Sequence, residues 1–380
     1  MTTTMVLIGT RKGLWTATSE DDRQTWTVRG PDLGLNEVAA CAIDTRGSTP
    51  RLYAGASSSH WGPAMSYSDD LGATWIEPDP APISFPKETD AALARVWQIT
   101  PGPADQPNLV WAGTEPSALW RSEDRGVSFT LNQGLWDHPH REEWQPGGGG
   151  QALHTILPHP EDSRQMHVAM STGGVYRTSD DGASWNPANK GIQGSFLPAD
   201  EFPEYGQCVH KVARHPDRPD QLFAQNHGGV YRSDDEGDSW TSIAQGLPGD
   251  FGFNMVVHPH APGTVYVIPL VADMERFPPE ARIRVYCSTD AGQTWEERSK
   301  GLPEDPFYAT VMRDGMGVDD SPTTGIYFGT RSGSVFASAD EGESWSEIAA
   351  HLPDVLCVRA ATVSPQPASG PGSRPAAQGG

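Results

Sequence analysis

The sequence predicts an all-β fold, a seven-bladed β-propeller of four-stranded blades whose ring is closed by the N- and C-terminal strands in one blade. Three observations predict it. An eight-residue turn motif recurs seven times at a nearly constant period. Every copy sits in the same succession of short apolar runs, the signature of a blade repeat. Gly (41) and Pro (34) supply 75 of the 380 residues, a density that breaks long helices throughout the chain.

The motif reads Ser/Thr-x-Asp-x-Gly-x-Ser/Thr-Trp, at 68–75, 178–185, 233–240, 288–295 and 338–345, with Phe129 in place of Trp at 122–129. A worn copy at 19–26 has Arg23 where the others have Gly. The copies are 49, 54, 56, 55, 55 and 50 residues apart. Before each box lies a segment such as ALWRS (118–122) or GVYRS (229–233), and before that a run such as LVWAG (109–113) or GIYFG (325–329). A third run precedes these and often ends in a His-Pro turn, as in ILPHP (156–160) and VARHP (212–216). The box Trp leads into a short fourth strand. Within the box, the carboxylates of Asp70, Asp124, Asp180, Asp235, Asp290 and Asp340 are expected to accept backbone N–H groups across a tight turn, with Gly supplying positive φ. These acids read as structural, and so do His159, His215 and His258 of the His-Pro turns.

Only two strands, 5–10 and 13–18, precede the worn first box, and the missing inner strand appears as VLCVRAAT at 355–362. Pairing the two ends closes the ring and removes its open edges. Inner strands are expected near 37, 93, 151, 207, 252, 307 and 355. One domain therefore covers 1–362, and the Pro/Gly/Ser/Ala-rich 363–380 is expected to be disordered.

Asp plus Glu (49) exceed Lys plus Arg (27), a net charge of −22, which disfavours nucleic acid and anionic membrane surfaces as partners. The cysteines at 41, 208, 287 and 357 have neither CxxC nor zinc-finger spacing and read as buried thiols outside any disulfide. The apolar run at the N-terminus is too short for a signal peptide, and no stretch matches a membrane span, so a cytoplasmic location is expected.

With seven such boxes over about residues 5–362, the chain resembles the BNR/Asp-box repeat β-propellers, a group that includes sialidases, xyloglucanase-type glycosidases, the sortilin ectodomain and a photosystem II assembly factor. The resemblance implies the fold and places the box turns on the outer rim, with a ligand-binding mouth at the opposite end of the axis. The shared motif is the turn itself, so the function differs from member to member. The Phe/Tyr-Arg-Ile/Leu-Pro motif of sialidases does not occur here, and seven blades are read where sialidases have six.

Aligning blades on the His-Pro turn puts Arg95, His154, His210, Phe253 and Tyr308 at one position near the inner-strand start. Aligning on the third strand puts Glu115, Ser171, Asn226 and Arg331 together at the end of the second, with Arg11, Lys12 and His227 close by. Two insertions extend the mouth. Residues 132–150 carry Trp136, His138, His140, Glu142, Glu143, Trp144 and four glycines that could hinge a lid, and 270–284 carry Asp273 and Glu275. The loop 57–62 adds His60 and Trp61.

The expected function is binding of a small molecule, glycan or peptide at this mouth. A glycoside hydrolase is the first alternative, with Glu115 as a candidate acid among Asp137, Glu142, Glu143 and Asp273. A metal-dependent enzyme is the second, with His154, His210 and His227 as candidate ligands of a divalent metal and His154 and His210 as catalytic candidates. Of the 13 tryptophans, Trp61, Trp136 and Trp144 lie off the repeat template and are expected at the mouth, whereas Trp97 reads as core.

Overall fold

In the computed structural model, residues 2–148, 150–194, 197–198 and 201–364 are described. They form seven sheets in a ring, six of four strands and one of three. The three-stranded blade begins at Glu37–Asp44, and the single bridge Tyr67–Ile76 stands in for its fourth strand. Closure is as expected: Val355–Val363 pairs antiparallel with Thr3–Thr10 from Thr3↔Val363 to Thr10↔Val355. Val363 thus ends the closing strand, and the tail from 365 onward lies outside the described residues.

We number the blades from this closing one. The inner strands are Val355–Val363, Glu37–Asp44, Arg95–Pro101, Leu153–Pro158, Val209–His215, Val256–Val257 and Met316–Val318. The last begins at Met316 rather than near 307. Residues 310–315 still pair across the mouth, Arg331 N–H donating to Thr310 O and Gly329 N–H to Gly315 O, but a Gly315–Met312 turn keeps them from being regular strand.

Each interface between blades has its own hydrophobic cluster. Met5, Leu7, Val38 and Leu52 join blades 1 and 2. Tyr53, Val96 and Trp120 join blades 2 and 3, and Val6, Ile8, Tyr327 and Val335 close the ring between 7 and 1. Among the described residues, the apolar packing is therefore a ring of blade sandwiches. Near the axis the blades approach so closely that second-strand glycines are required. A Cβ on Gly113 would lie 2.3 Å from Leu153 O, and one on Gly9 would lie 2.6 Å from Val38 O.

All seven boxes share one hydrogen-bond pattern. Asp70 Oδ1 accepts Thr74 N–H (2.8 Å) and Oδ2 accepts Thr74 O–H (2.6 Å), while Ser68 Oγ accepts Gly72 N–H (2.8 Å). The residue before each Gly is also in the left-handed region, so Arg23 and Asp22 of the worn copy adopt φ of 66° and 55°. Arg23 is kept there by a buried guanidinium that donates to Thr323 O and faces Asp319 across the closing seam. Box tryptophans stitch blades together: the indole N–H groups of Trp240, Trp295 and Trp345 donate to Ala188 O, Ile243 O and Arg298 O of the preceding blade, each at 2.8 Å. The His-Pro turns are capped by their own rings, His159 Nδ1 accepting Glu161 N–H and His215 Nδ1 accepting Asp217 N–H.

Candidate functional site

Each box follows the third strand, which runs parallel to the inner strand. Inner-strand starts and second-strand ends therefore lie at the face opposite the boxes. Five inner strands carry a bulge there. Pairing skips Ala39, Trp97, His154, His210 and Leu356. A bulge redirects its extra side chain, and four of these five line the mouth: Ala39, Trp97 and Leu356 in one hollow, Trp97 and His210 in an adjoining one. The hollows share Trp97, Gly148, Arg276, Met312 and Arg313, and the second has a volume of about 330 Å³.

The rim is a chain of alternating charges. Trp97 Nε1–H donates to Glu115 Oε2 (2.9 Å), and Arg95 lies 3.9 Å from the same oxygen. Arg95 also binds Glu37 (3.0 Å), which binds Arg11 (2.7 Å); Asp354 then lies between Arg11 (3.4 Å) and Arg331 (2.7 Å). On the other side Asp273 is held by Arg276 at 2.7 Å. The floor closes the channel across the ring. Asp314 of the segment before the blade 7 inner strand binds Lys211 of blade 5 (2.8 Å) and Arg359 of blade 1 (2.5 Å), and Arg359 donates to Gln98 of blade 3. Burial would raise the Asp314 carboxyl, but Lys211 and Arg359 outweigh it and hold it well below the usual carboxylate range.

Arg313 lies between rim and floor, 7% exposed. Its guanidinium sits 5.1 Å from the Trp97 ring centroid and makes no hydrogen bond or salt bridge with any described residue, its Nε being buried without a partner. Burial pulls it below the usual arginine range. Among the groups just named, seven guanidinium or ammonium groups face five carboxylates, although the whole chain carries −22.

Of the expected mouth residues, the structure brings Arg95, Glu115, His210, His227 and Arg331 together, with Phe253 beside His210. Trp97 and not Arg95 is equivalent to His210, each being the residue that pairing skips, and His227 rather than Asn226 is equivalent to Glu115. Asn226 is fully buried, its side-chain amide donating to Gln193 O. His154 is buried with both ring nitrogens engaged, Nε2 with Val209 O (2.9 Å) and Nδ1 with the Thr155 hydroxyl (3.1 Å), so it joins blades 4 and 5 and does not line the hollows. Tyr308 is 70% exposed and packs on Phe277 outside the cup, because the irregular segment puts Met312 and Arg313 at the axial position.

The 132–150 insertion is packed down, not open. Asn132 caps the short helix Gln133–Trp136, and Trp136 and Trp144 are buried in the clusters of blades 2–3 and 3–4. Trp144 Nε1–H donates to Tyr176 Oη, which also contacts His140 Nδ1. His138 Nδ1 accepts His140 N–H, a further capped His-Pro turn. Among the described residues of this insertion, Pro146, Gly147 and Gly148 line the hollows. Trp61 is 85% exposed and meets His60 edge-to-face outside them. Sequence reasoning missed Trp97, Arg276 and Arg313. Arg313-Asp314 in an otherwise apolar inner-strand run was the available signal.

The cysteines are buried and none forms a disulfide; Cys41 and Cys357 lie Sγ to Sγ at 3.5 Å on neighbouring inner strands. Cys208 is different in setting. Its Sγ is 3.6 Å from His210 Nε2, and Cys208, His210 and His227 present donor atoms all within 4.8 Å of one another. Burial, reinforced at His210 by Arg313, lowers the pKa of both imidazoles, which are therefore neutral near pH 7.

The comparisons with known proteins agree with the architecture. The BNR/Asp-box repeat model matches residues 286–297. A xyloglucanase of Paenibacillus sp. is 23% identical over 241 residues, covering 53% of this chain and 21% of the relative. Vacuolar protein sorting/targeting protein 10 of Emericella nidulans is 27% identical over 200 residues, covering 50% and 13%. The chain thus spans about a fifth or less of these curated relatives. Among solved structures, a putative 6-phosphogluconolactonase from Bacteroides uniformis superposes with TM-score 0.55 at 12% identity, covering 94% of this chain and 99% of that one. YCF48 from Cyanidioschyzon merolae gives TM-score 0.50 at 12% identity, covering 82% and 84%. These likenesses carry the fold. Together with the seven boxes, the repeat match and the curated relatives support the BNR/Asp-box repeat β-propeller family. No helix among the described residues is long and apolar enough to cross a membrane.

Proposed function

We propose that the axial mouth binds an anionic ligand, a carboxylate- or phosphate-bearing small molecule or peptide end. The observation that supports this is Arg313. A buried guanidinium without a hydrogen-bonded anion costs several kcal/mol, roughly, and such a cost is retained where a ligand supplies the missing charge. Arg313 lines both hollows, with Arg276 beside it and the indole of Trp97 as an aromatic wall. The floor salt bridges close the channel below, so the ligand is held in a cup and does not pass through.

Glycan hydrolysis is the second reading, favoured by the xyloglucanase relatives. It requires one carboxyl group able to donate a proton, whereas Glu37, Glu115, Asp273, Asp314 and Asp354 are each set against a cation. A thermal-shift panel of dicarboxylates, sugar phosphates, acidic peptides and neutral xyloglucan oligosaccharides separates the two. Stabilisation by the anions alone, abolished in Arg313→Met, is expected. Cleavage of the oligosaccharides, lost in Glu115→Gln, would replace binding by hydrolysis as the function.

A further inference from the structure

We infer that Cys208, His210 and His227 form a binding site for a thiolate- and imidazole-favouring transition metal, of which zinc(II) is the type. The inference stands on the geometry of these three side chains and does not depend on the anion-binding reading. In a tetrahedral zinc site with Zn–S of about 2.3 Å and Zn–N of about 2.0–2.1 Å, sulfur and nitrogen ligands lie roughly 3.6 Å apart. The observed Cys208 Sγ to His210 Nε2 separation is 3.6 Å.

The backbone prepares the arrangement. Blade 5 supplies all three residues: His227 N–H donates to Cys208 O across the first hairpin, and the bulge turns His210 toward the same cavity. His210 Nδ1 donates to Gly252 O at 2.5 Å, which fixes the tautomer and leaves Nε2 with its lone pair aimed at the sulfur. Metal-bound histidines commonly carry such a backbone partner on the second nitrogen. Phe253 stacks on His210, and Phe251 packs edge-on to both His210 and His227, so the rings have little freedom. Asp273 Oδ2 lies 3.8 Å from His227 Nε2 and adds negative charge next to the thiolate. Arg313 and Arg276 oppose a bare cation, but the same cavity offers the fourth coordination position to solvent or to an anion. Three protein ligands with one open position is the pattern of sites that polarise a bound group.

The test uses untagged full-length protein. Metal content after purification without chelators is measured by mass spectrometry, and the apoprotein is titrated with cobalt(II) and then zinc(II). About one equivalent of bound metal is expected, with a thiolate-to-cobalt charge-transfer band that zinc abolishes. Cys208→Ser should lose the band and at least about a hundredfold in zinc affinity, beyond the 10–100-fold loss typical of outer-sphere substitutions, while keeping its melting curve in the absence of metal. His227→Gln should weaken binding but retain the sulfur band. No stoichiometric zinc or cobalt binding by the wild type, or unchanged affinity and spectrum in Cys208→Ser, overturns the assignment. Anion binding measured on the same apoprotein reports on the other reading separately.

Discussion

Arg313→Met is the perturbation for which the structure makes an unusual forecast, a loss of ligand binding with little or no loss of stability. The guanidinium is 7% exposed and has no bonded anion, and methionine can fill a similar path between Met312, Trp97 and Leu356. Replacing buried ionic groups by apolar ones of similar volume is often neutral or stabilising by about 1–4 kcal/mol. Against this stands the cation–π contact to Trp97 at 5.1 Å, worth roughly 0.5–2 kcal/mol. Asp314 keeps Lys211 and Arg359, so no new unpaired charge is created. The balance runs from about −1 to +3.5 kcal/mol, seen as a melting temperature between about 2 °C below and about 5 °C above that of the wild type. The assay is thermal unfolding in dilute, non-coordinating buffer, with and without a stabilising anion. The wild type should gain about 2.7 kcal/mol at a ligand concentration of one hundred times Kd, and the variant nothing. A variant that melts more than about 3 °C below the wild type in the absence of ligand would refute the reasoning, because it would show that the guanidinium is satisfied within the fold.

Other outcomes follow from the same structure. Acid should unfold the protein in two stages. His154 and His167 are held neutral by burial, His167 with a pKa lowered to about 3, so stability falls as pH drops below the unfolded-histidine value near 6.5. The box carboxyls Asp180 and Asp290 are lowered to about 2, chiefly by the hydrogen bonds of Ser184 and Thr294, so a second loss runs from about pH 4 down toward 2. Tryptophan fluorescence at constant temperature measures both, and stability constant down to pH 4 would contradict the first. Gly333→Ala should cost more than about 3 kcal/mol or prevent folding, since φ is +89° and a Cβ would lie 1.8 Å from Leu352 O. Gly34→Ala, with open space around its Cβ at φ +57°, should cost about 1 kcal/mol; equal losses in a denaturation series would count against the close approach of Leu352 O as the cause. Native protein should react with a bulky thiol reagent at Cys41, Cys287 and Cys357 only on unfolding, because all three are at most 1% exposed.

The fold was legible because every blade repeats the same local chemistry. Asp70 and Ser68 form their turn from residues at most six positions apart, so the motif survives translation around the ring. Closure was legible from the count of strands before Trp26 and after Trp345. The mouth was less so. The axial position in blade 3 is Trp97, the residue that pairing skips, and not Arg95, and no local pattern marks where pairing skips a residue. Trp97 alternates with Val96 and Gln98 as a core residue would, yet the bulge aims it at Glu115 and Arg313. Trp136 and Trp144 misled in the opposite sense: outside the repeat they looked exposed, but their insertion folds back and fills gaps between blades 2, 3 and 4. Arg276 lies in the 270–284 insertion expected at the mouth, where Asp273 and Glu275 drew the reading instead, and its place beside Asp273 and over Phe253 depends on tertiary folding.

The direct test of the central claim is anomalous diffraction from crystals soaked in selenate, a tetrahedral dianion that can be located by its own scattering. Binding at the axial mouth predicts a selenium peak within hydrogen-bond distance of the Arg313 guanidinium in the wild type, and none there in Arg313→Met. Peaks confined to outer-surface arginines, with solvent alone beside Arg313, would contradict it.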